Sequence, residues 1–321
     1  MRAKKSKARK SGDAQRKAEP QKAEPRKAKQ SRARREEASA ERARGAVSSK
    51  AALSDAQDRR KSVRVRAAGL EKLAGAVCAE DKTFNAVLAI LQDPDEPPEL
   101  RSTALRTLQA ASFSVVAFNP RRAEYLATLR EMSSDAEPEL RQSVLGILVR
   151  ERDGYAQQLL LEGLQDPKAA LVSPEKALQL LSYDVHTEAY PMARKIARKP
   201  PTPEAKREAL RLLGADAGSV ALFESVLRNK NEPAEFRRLS AAALQALKPA
   251  ALQTHAREIV LDDDEDEEVK AASLTALSLF GAADEMGRDD ELRAKTTDLK
   301  SSGSPELKRG AKAFLARYHR V

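Results

Sequence analysis

Apolar and polar positions along this chain repeat one helical face many times over. The segment Pro138-Glu139-Leu140-Arg141-Gln142-Ser143-Val144-Leu145-Gly146-Ile147-Leu148 shows the pattern: an apolar residue, a base, two residues, a small or apolar residue, three residues, then Leu. Steps of three and four residues put the apolar members on one side of a helix. Seven segments fit, opening at Val65-Arg66, Leu100-Arg101, Leu140-Arg141, Ala205-Lys206, Phe236-Arg237, Val269-Lys270 and Leu307-Lys308. An eighth, around Ala177 and Leu181, keeps the Leu and loses the apolar-basic pair. The final Leu recurs at intervals of 35, 40, 33, 32, 31, 33 and 38 residues. Such a period predicts a repeat array whose units bury their apolar faces against their neighbours.

The recurring segment is the second helix of a pair, and its start is marked. Pro98-Glu99, Pro138-Glu139, Pro203-Glu204 and Pro305-Glu306 stand directly before the apolar-basic pair, and Pro174-Glu175 opens the degenerate unit. Proline suits the first helical turn, where its missing N–H has no acceptor, and glutamate suits the positive end of the helix dipole. Thr202 and Ser304 precede two of these prolines as N-caps. The first helices show looser stripes, such as Phe84, Val87, Leu88 and Leu91, closed by turns rich in Asp, Asn and Pro. No run alternates with period two, so no sheet is expected. Pro191, close to the start of a helix, predicts a local kink.

Helix pairs of this length, with an apolar-Arg opening to the second helix and Asp-Pro in the turn before it, resemble HEAT repeats of the armadillo-like superfamily. The resemblance covers residues 56–321 and implies a right-handed α-α superhelix of seven to eight pairs, an all-α solenoid with second helices lining the inner surface. It also implies that the recurrent base (Arg66, Arg101, Arg141, Lys206, Arg237, Lys270, Lys308) pairs with turn acids of its own or adjacent units. Asp93, Asp135 and Asp166 are the candidate partners. The base lies about 20° from the recurring Leu at 100° per residue, towards the packed side, which argues against a phosphate ladder.

Charge changes the picture only at the amino end. Residues 1–44 carry 17 Lys/Arg and 6 Asp/Glu, while the rest carries 41 and 42, so the formal net charge of +10 belongs to this arm. Residues 1–44 have no aromatic and only Met1 as a large apolar side chain, so residues 1–55 are expected to be a disordered basic arm grading into the first repeat, and 56–321 the solenoid. Within it Lys4, Lys5, Lys7, Arg9, Lys10, Arg32, Arg34 and Arg35 suit electrostatic contact with nucleic acid, or simply keep the chain soluble. No aromatic interleaves them to stack on bases. One cysteine, Cys78, excludes an internal disulfide framework. With no long apolar run, the expected setting is cytoplasmic, nuclear or nucleoid association staying open.

On the outward side of the second helices stand Arg106, Arg150, Arg207, Arg211, Arg238, Arg309 and Arg317 against Glu71 and Glu208. Such a face suits an acidic protein segment or a phosphate backbone, and equally a plain solvated surface. Arg106, Arg207, Arg211, Arg238 and Arg309 are the candidate partner-binding residues. The acidic run Asp262–Glu268 is a solvated turn or a receptor for the basic arm. His186, His255 and His319 fall in different units, and no Cys/His metal spacing or Gly-rich phosphate loop occurs. The expectation is a non-enzymatic scaffold binding a partner protein, without cofactor or metal, and alternatively a nucleic-acid-binding accessory protein.

Overall fold

The structure, a computed structural model, describes residues 48–183 and 187–318. Within them the chain is helical without strands, and the helices follow in pairs. They are α1 (48–57) with α2 (Val63–Glu71), α2 being continued past Leu73 by α3 (Ala74–Ala79); α4 (Asp81–Gln92) with α5 (Pro98–Ser112); and α6 (Val115–Glu131) with α7 (Pro138–Arg150). Next come α8 (Gly154–Gln165) with α9 (Pro174–Leu181), α10 (Tyr190–Arg198) with α11 (Pro203–Leu212), and α12 (Val220–Arg228) with α13 (Ala234–Leu247). The last pairs are α14 (Pro249–Leu261) with α15 (Glu267–Phe280), and α16 (Ala283–Arg288) plus α17 (Asp290–Ser302) with α18 (Pro305–Tyr318).

The start signals fall where the sequence puts them. Pro98, Pro138, Pro174, Pro203 and Pro305 open α5, α7, α9, α11 and α18. Thr202 Oγ1 accepts from the N–H of Ala205 at 3.0 Å. Leu73, Leu108, Leu148, Leu181, Leu213, Leu244 and Leu277 are fully buried, and Leu315 is partly so. Second helices of successive pairs pack on one another more closely than first helices do, which sets them on the inner side of the curve. One apolar core runs from α1 to α15, and a second from α14 to α18.

Two expectations need adjustment. Helix α1 starts ahead of the expected solenoid boundary at 56, and its Ala52, Leu53 and Ala56 are buried in the core. Three small or medium apolar residues on one face are enough because α2 comes very close. A Cβ on Gly69 would stand 2.7 Å from the Ala52 carbonyl oxygen and 3.1 Å from the Ala56 nitrogen. Pro191 causes no interior kink: it lies in the first turn of α10, where no helical N–H bond is lost.

Candidate functional site: the inner helical face

The recurrent base faces inward to the packing. Arg66, Arg101, Lys206, Arg237 and Lys270 are all buried. Three of the arginines share one geometry: Nε donates to the carbonyl ten residues earlier, at the end of the preceding first helix (Arg66 to Ala56, 2.9 Å; Arg101 to Leu91, 3.0 Å; Arg237 to Leu227, 2.8 Å). The guanidinium then forks a carboxylate in the next turn along the array: Arg66 on Glu96 at 2.6 and 2.7 Å, Arg101 on Asp135, Arg237 on Glu265. Lys206 makes the equivalent pair with Glu232. The side chains of Arg237 and Glu265 are 2% and 3% exposed. Each arginine rung is thus a bidentate, charge-assisted contact between adjacent units, and the Lys206 rung a single one.

The acids differ from two of the three expected. Asp135 is as expected, but Asp93 pairs with exposed Arg59, and Asp166 only receives the Lys168 N–H. The reason is turn chemistry. Asp93, Asn229 and Asp262 each accept the backbone N–H two residues on (2.9, 3.0 and 3.0 Å), which holds the short side chain at the start of the turn. The same turn delivers a glutamate three residues on, Glu96, Glu232 or Glu265, with the reach to meet the base. Asp or Asn followed by Glu at the third position is the signal that would have found them. Arg66 pulls the Glu96 carboxyl below its ordinary value. At Glu265 burial pushes upward, but the bonds from Arg237 and the Asp266 N–H outweigh it and the net shift is down.

The outward arginines divide into two groups. Arg207 forks Glu235, Arg238 meets Glu268, Arg211 meets Glu208, and Arg309 meets Glu306. The first two form a second, more exposed ladder one residue along from the buried one. Arg238 and Arg309 line a groove of about 720 Å³ over α13, α15 and α18, where Glu268 and Glu306 balance them. Arg106 and Arg150 sit in a separate groove of about 480 Å³ over α5, α7 and α9, with Lys176, Gln109, Gln142, Glu139 and Tyr183. Here Arg106 donates to Thr103 Oγ1 at 2.8 Å, Arg150 lies 5.8 Å from the Tyr183 ring centroid, and Lys176 reaches Gln179 at 3.0 Å. Among the described residues none of these three cations forms an ion pair. Tyr183, which lines the groove, is 55% exposed, and Phe113 after α5 and Tyr155 at the start of α8 are exposed at 79% and 50%.

Six members of the acidic run hold contacts inside the solenoid. Asp262 pairs with Lys230, Asp263 with Lys295, Glu265 with Arg237 and Glu268 with Arg238; Asp266 caps α15 and Glu267 accepts from the Ser304 N–H. The arm bases Lys4, Lys5, Lys7, Arg9, Lys10, Arg32, Arg34 and Arg35 lie outside the described residues, as do His186 and His319. His255 stands 3.5 Å from Glu258. Cys78 is half-buried and its Sγ lies 3.4 Å from the Ala111 carbonyl. Among the described residues no three His, Cys, Asp or Glu side chains group as metal ligands, and no helix is long and apolar enough to cross a membrane.

Paired helices, an inner layer of second helices and a buried base at most openings define the fold: an all-α solenoid of HEAT-like helix pairs. Among solved structures it is similar to the karyopherin Kap121p bound to the extreme C-terminus of the protein phosphatase Cdc14p, with a TM-score of 0.55 and 13% identity over 80% of this chain and 32% of that one. Kap121p bound to Pho4p matches with a TM-score of 0.43 and 14% identity over 84% and 32%. Human deoxyhypusine hydroxylase in complex with glycerol matches with 0.32 and 15% over 77% and 98%. The chain therefore spans about a third of the karyopherin's length. No protein-family model and no curated protein sequence matches it.

Proposed function

We propose that the protein is a non-enzymatic scaffold that holds an acidic segment of a partner protein in the groove over α5, α7 and α9. The carrying observation is that Arg106, Arg150 and Lys176 converge there with no carboxylate paired to any of them among the described residues. Arg207, Arg211, Arg238 and Arg309 keep a secondary role, because a partner's acid has to displace a glutamate already in place. The exposed Tyr183, beside Arg150 in the groove, favours a protein over a bare phosphate backbone, since tyrosine and arginine are the commonest hot-spot residues at protein interfaces. The karyopherin of like fold, bound to a protein C-terminus, is a precedent for such a surface.

The test is affinity capture from a lysate with the wild type and with the R106E/R150E double variant. Proteins retained by the first and lost by the second, at equal helical circular dichroism, are the expected result. Identical captured sets would refute the groove. A second reading, attachment to nucleic acid through the arm, rests on the charge surplus of residues 1–44. It predicts that removing residues 1–47 abolishes binding to double-stranded DNA and that binding of the full chain falls steeply with salt. Salt-independent or arm-independent binding would refute it.

A further inference from the structure

The ladder of buried bases breaks at Arg141. Its counterparts Arg66, Arg101, Lys206 and Arg237 each meet an acid from the next turn along. The corresponding turn, Asp166-Pro167-Lys168-Ala169, has the same backbone: the Lys168 N–H reaches Asp166 Oδ1 at 3.0 Å, and the Ala169 N–H reaches the Asp166 carbonyl at 3.0 Å. Yet Ala169 stands where the other turns carry Glu96, Glu232 and Glu265. Arg141 makes do with two backbone carbonyls, Leu171 through Nε at 2.7 Å and Asp135 through a terminal nitrogen at 2.5 Å. The Asp135 carboxylate is near enough to feel the charge of Arg141, but its oxygens are taken by the Arg101 fork.

Beside this guanidinium lies a cavity of about 550 Å³, walled by Leu164, Leu171, Val172, Pro174, Ile196 and Pro201. Three extra residues, Ala170, Leu171 and Val172, lengthen the turn here relative to the α4–α5 turn and form part of the wall. So the chain has lost an acid and opened an apolar recess at the same place. A half-buried guanidinium with no carboxylate paired to it among the described residues, at the edge of an apolar cavity, matches a ligand carrying one carboxylate next to one large apolar group.

We propose that this break is a docking site for a partner-protein segment in which Asp or Glu stands within two positions of Leu, Ile, Phe or Met. The carboxylate takes the place of the missing turn glutamate on Arg141, and the apolar side chain fills the cavity. The site adjoins the inner groove at Gln142, which lines both. It rests on the ladder, not on the groove reading, and a single partner long enough can use both.

The test pans a phage-displayed library of random twelve-residue peptides on the full-length chain, then measures the selected peptides by fluorescence polarisation. The expected result is a family with an acid within two positions of a large apolar residue. Its affinity should fall about tenfold or more when the peptide's acid becomes its amide, as loss of one charge-assisted fork implies. Leu171→Glu, on a partly exposed wall, supplies a carboxylate to Arg141 from within and should abolish binding with an unchanged melting temperature. Arg141→Gln should remove the preference for the acid, while R106E/R150E should leave affinity for this family unchanged. Failure of the groove reading alone would show as loss of no partner on R106E/R150E with these peptides still bound. No selected family, a family without acids, or affinity indifferent to both Leu171→Glu and amidation of the peptide would overturn the proposal. A selected family matching a segment of this same chain would replace the partner by a second copy and overturn it as well.

Discussion

Replacing Arg66 by methionine tests the ladder directly. The arginine is 5% exposed and so is Glu96, and three of its nitrogens are engaged: Nε on the Ala56 carbonyl at 2.9 Å and the two terminal nitrogens on the two Glu96 oxygens. Methionine fills similar volume with no donor. The variant leaves a buried carboxylate without its counter-charge and a buried carbonyl without its donor. Breaking one side of a buried pair costs about 3–5 kcal/mol, because the other charge stays desolvated. The double variant R66M/E96L removes both charges and is expected to recover most of that cost. Chemical denaturation followed by circular dichroism at 222 nm measures both, and since this rung ties α2 to the end of α1 and to the α4–α5 turn, the loss should appear first as early melting of the amino-terminal pairs. Acid gives an independent check. The Glu96 carboxyl is held below its ordinary value, so its stabilisation is complete above about pH 4.3 and fades as pH falls through the lower folded value. The difference between wild type and E96Q should therefore shrink with acidification. A cost under about 1 kcal/mol for R66M, or no recovery in the double variant, would refute the description of the rung as a coupled buried pair.

Lys270→Met should cost much less than R66M, because the ammonium of this buried lysine bonds the Asp263 carbonyl at 3.0 Å and forms no ion pair among the described residues; equal melting shifts for the two variants would contradict this. Gly69→Ala forces a Cβ against the Ala52 carbonyl and should destabilise by about 1–3 kcal/mol through overpacking, read as a lowered melting temperature. A chain starting at residue 48 should melt as the full chain does, whereas one starting at residue 58 loses Ala52, Leu53 and Ala56 from the core and should expose Leu70 and Leu73 to dye binding.

The second helices were legible because several independent signals coincide in them: proline in the first turn, the apolar-basic pair, and leucine a fixed distance on. Helix α1 was not, since Ser48, Ser49 and Lys50 share the polar character of the arm and only Ala52, Leu53 and Ala56 mark its buried side. The inward direction of the bases followed from helix geometry alone. Of their acids only Asp135 was legible, because a rung joins residues 26 to 34 positions apart in different units, and the Asp that starts the turn is a more conspicuous turn signal than the Glu at its end. For the same reason Arg207 and Arg238 read as open charges: Glu235 and Glu268 reach them only once the units are stacked. Arg106, among the expected contacts, and Arg150 stay unpaired among the described residues because Arg106 meets Thr103 and Arg150 meets Tyr183.

Every rung borrows its acid from the unit that follows the one supplying its base. Where the next turn supplies the acid, the units are interchangeable. Excising the α4–α5 pair would present Arg66 with Asp135, and excising the α12–α13 pair would present Lys206 with Glu265, so those seams close. A cut placed between the first and second helix of a pair strands one base and one acid in the interior. The grammar of the array thus permits lengthening and shortening by whole pairs at those seams, and it is suspended at the fourth turn, with its alanine and its three added residues, and again at the turn before α18, where Gly303 and Ser304 stand in place of an acid for Lys270.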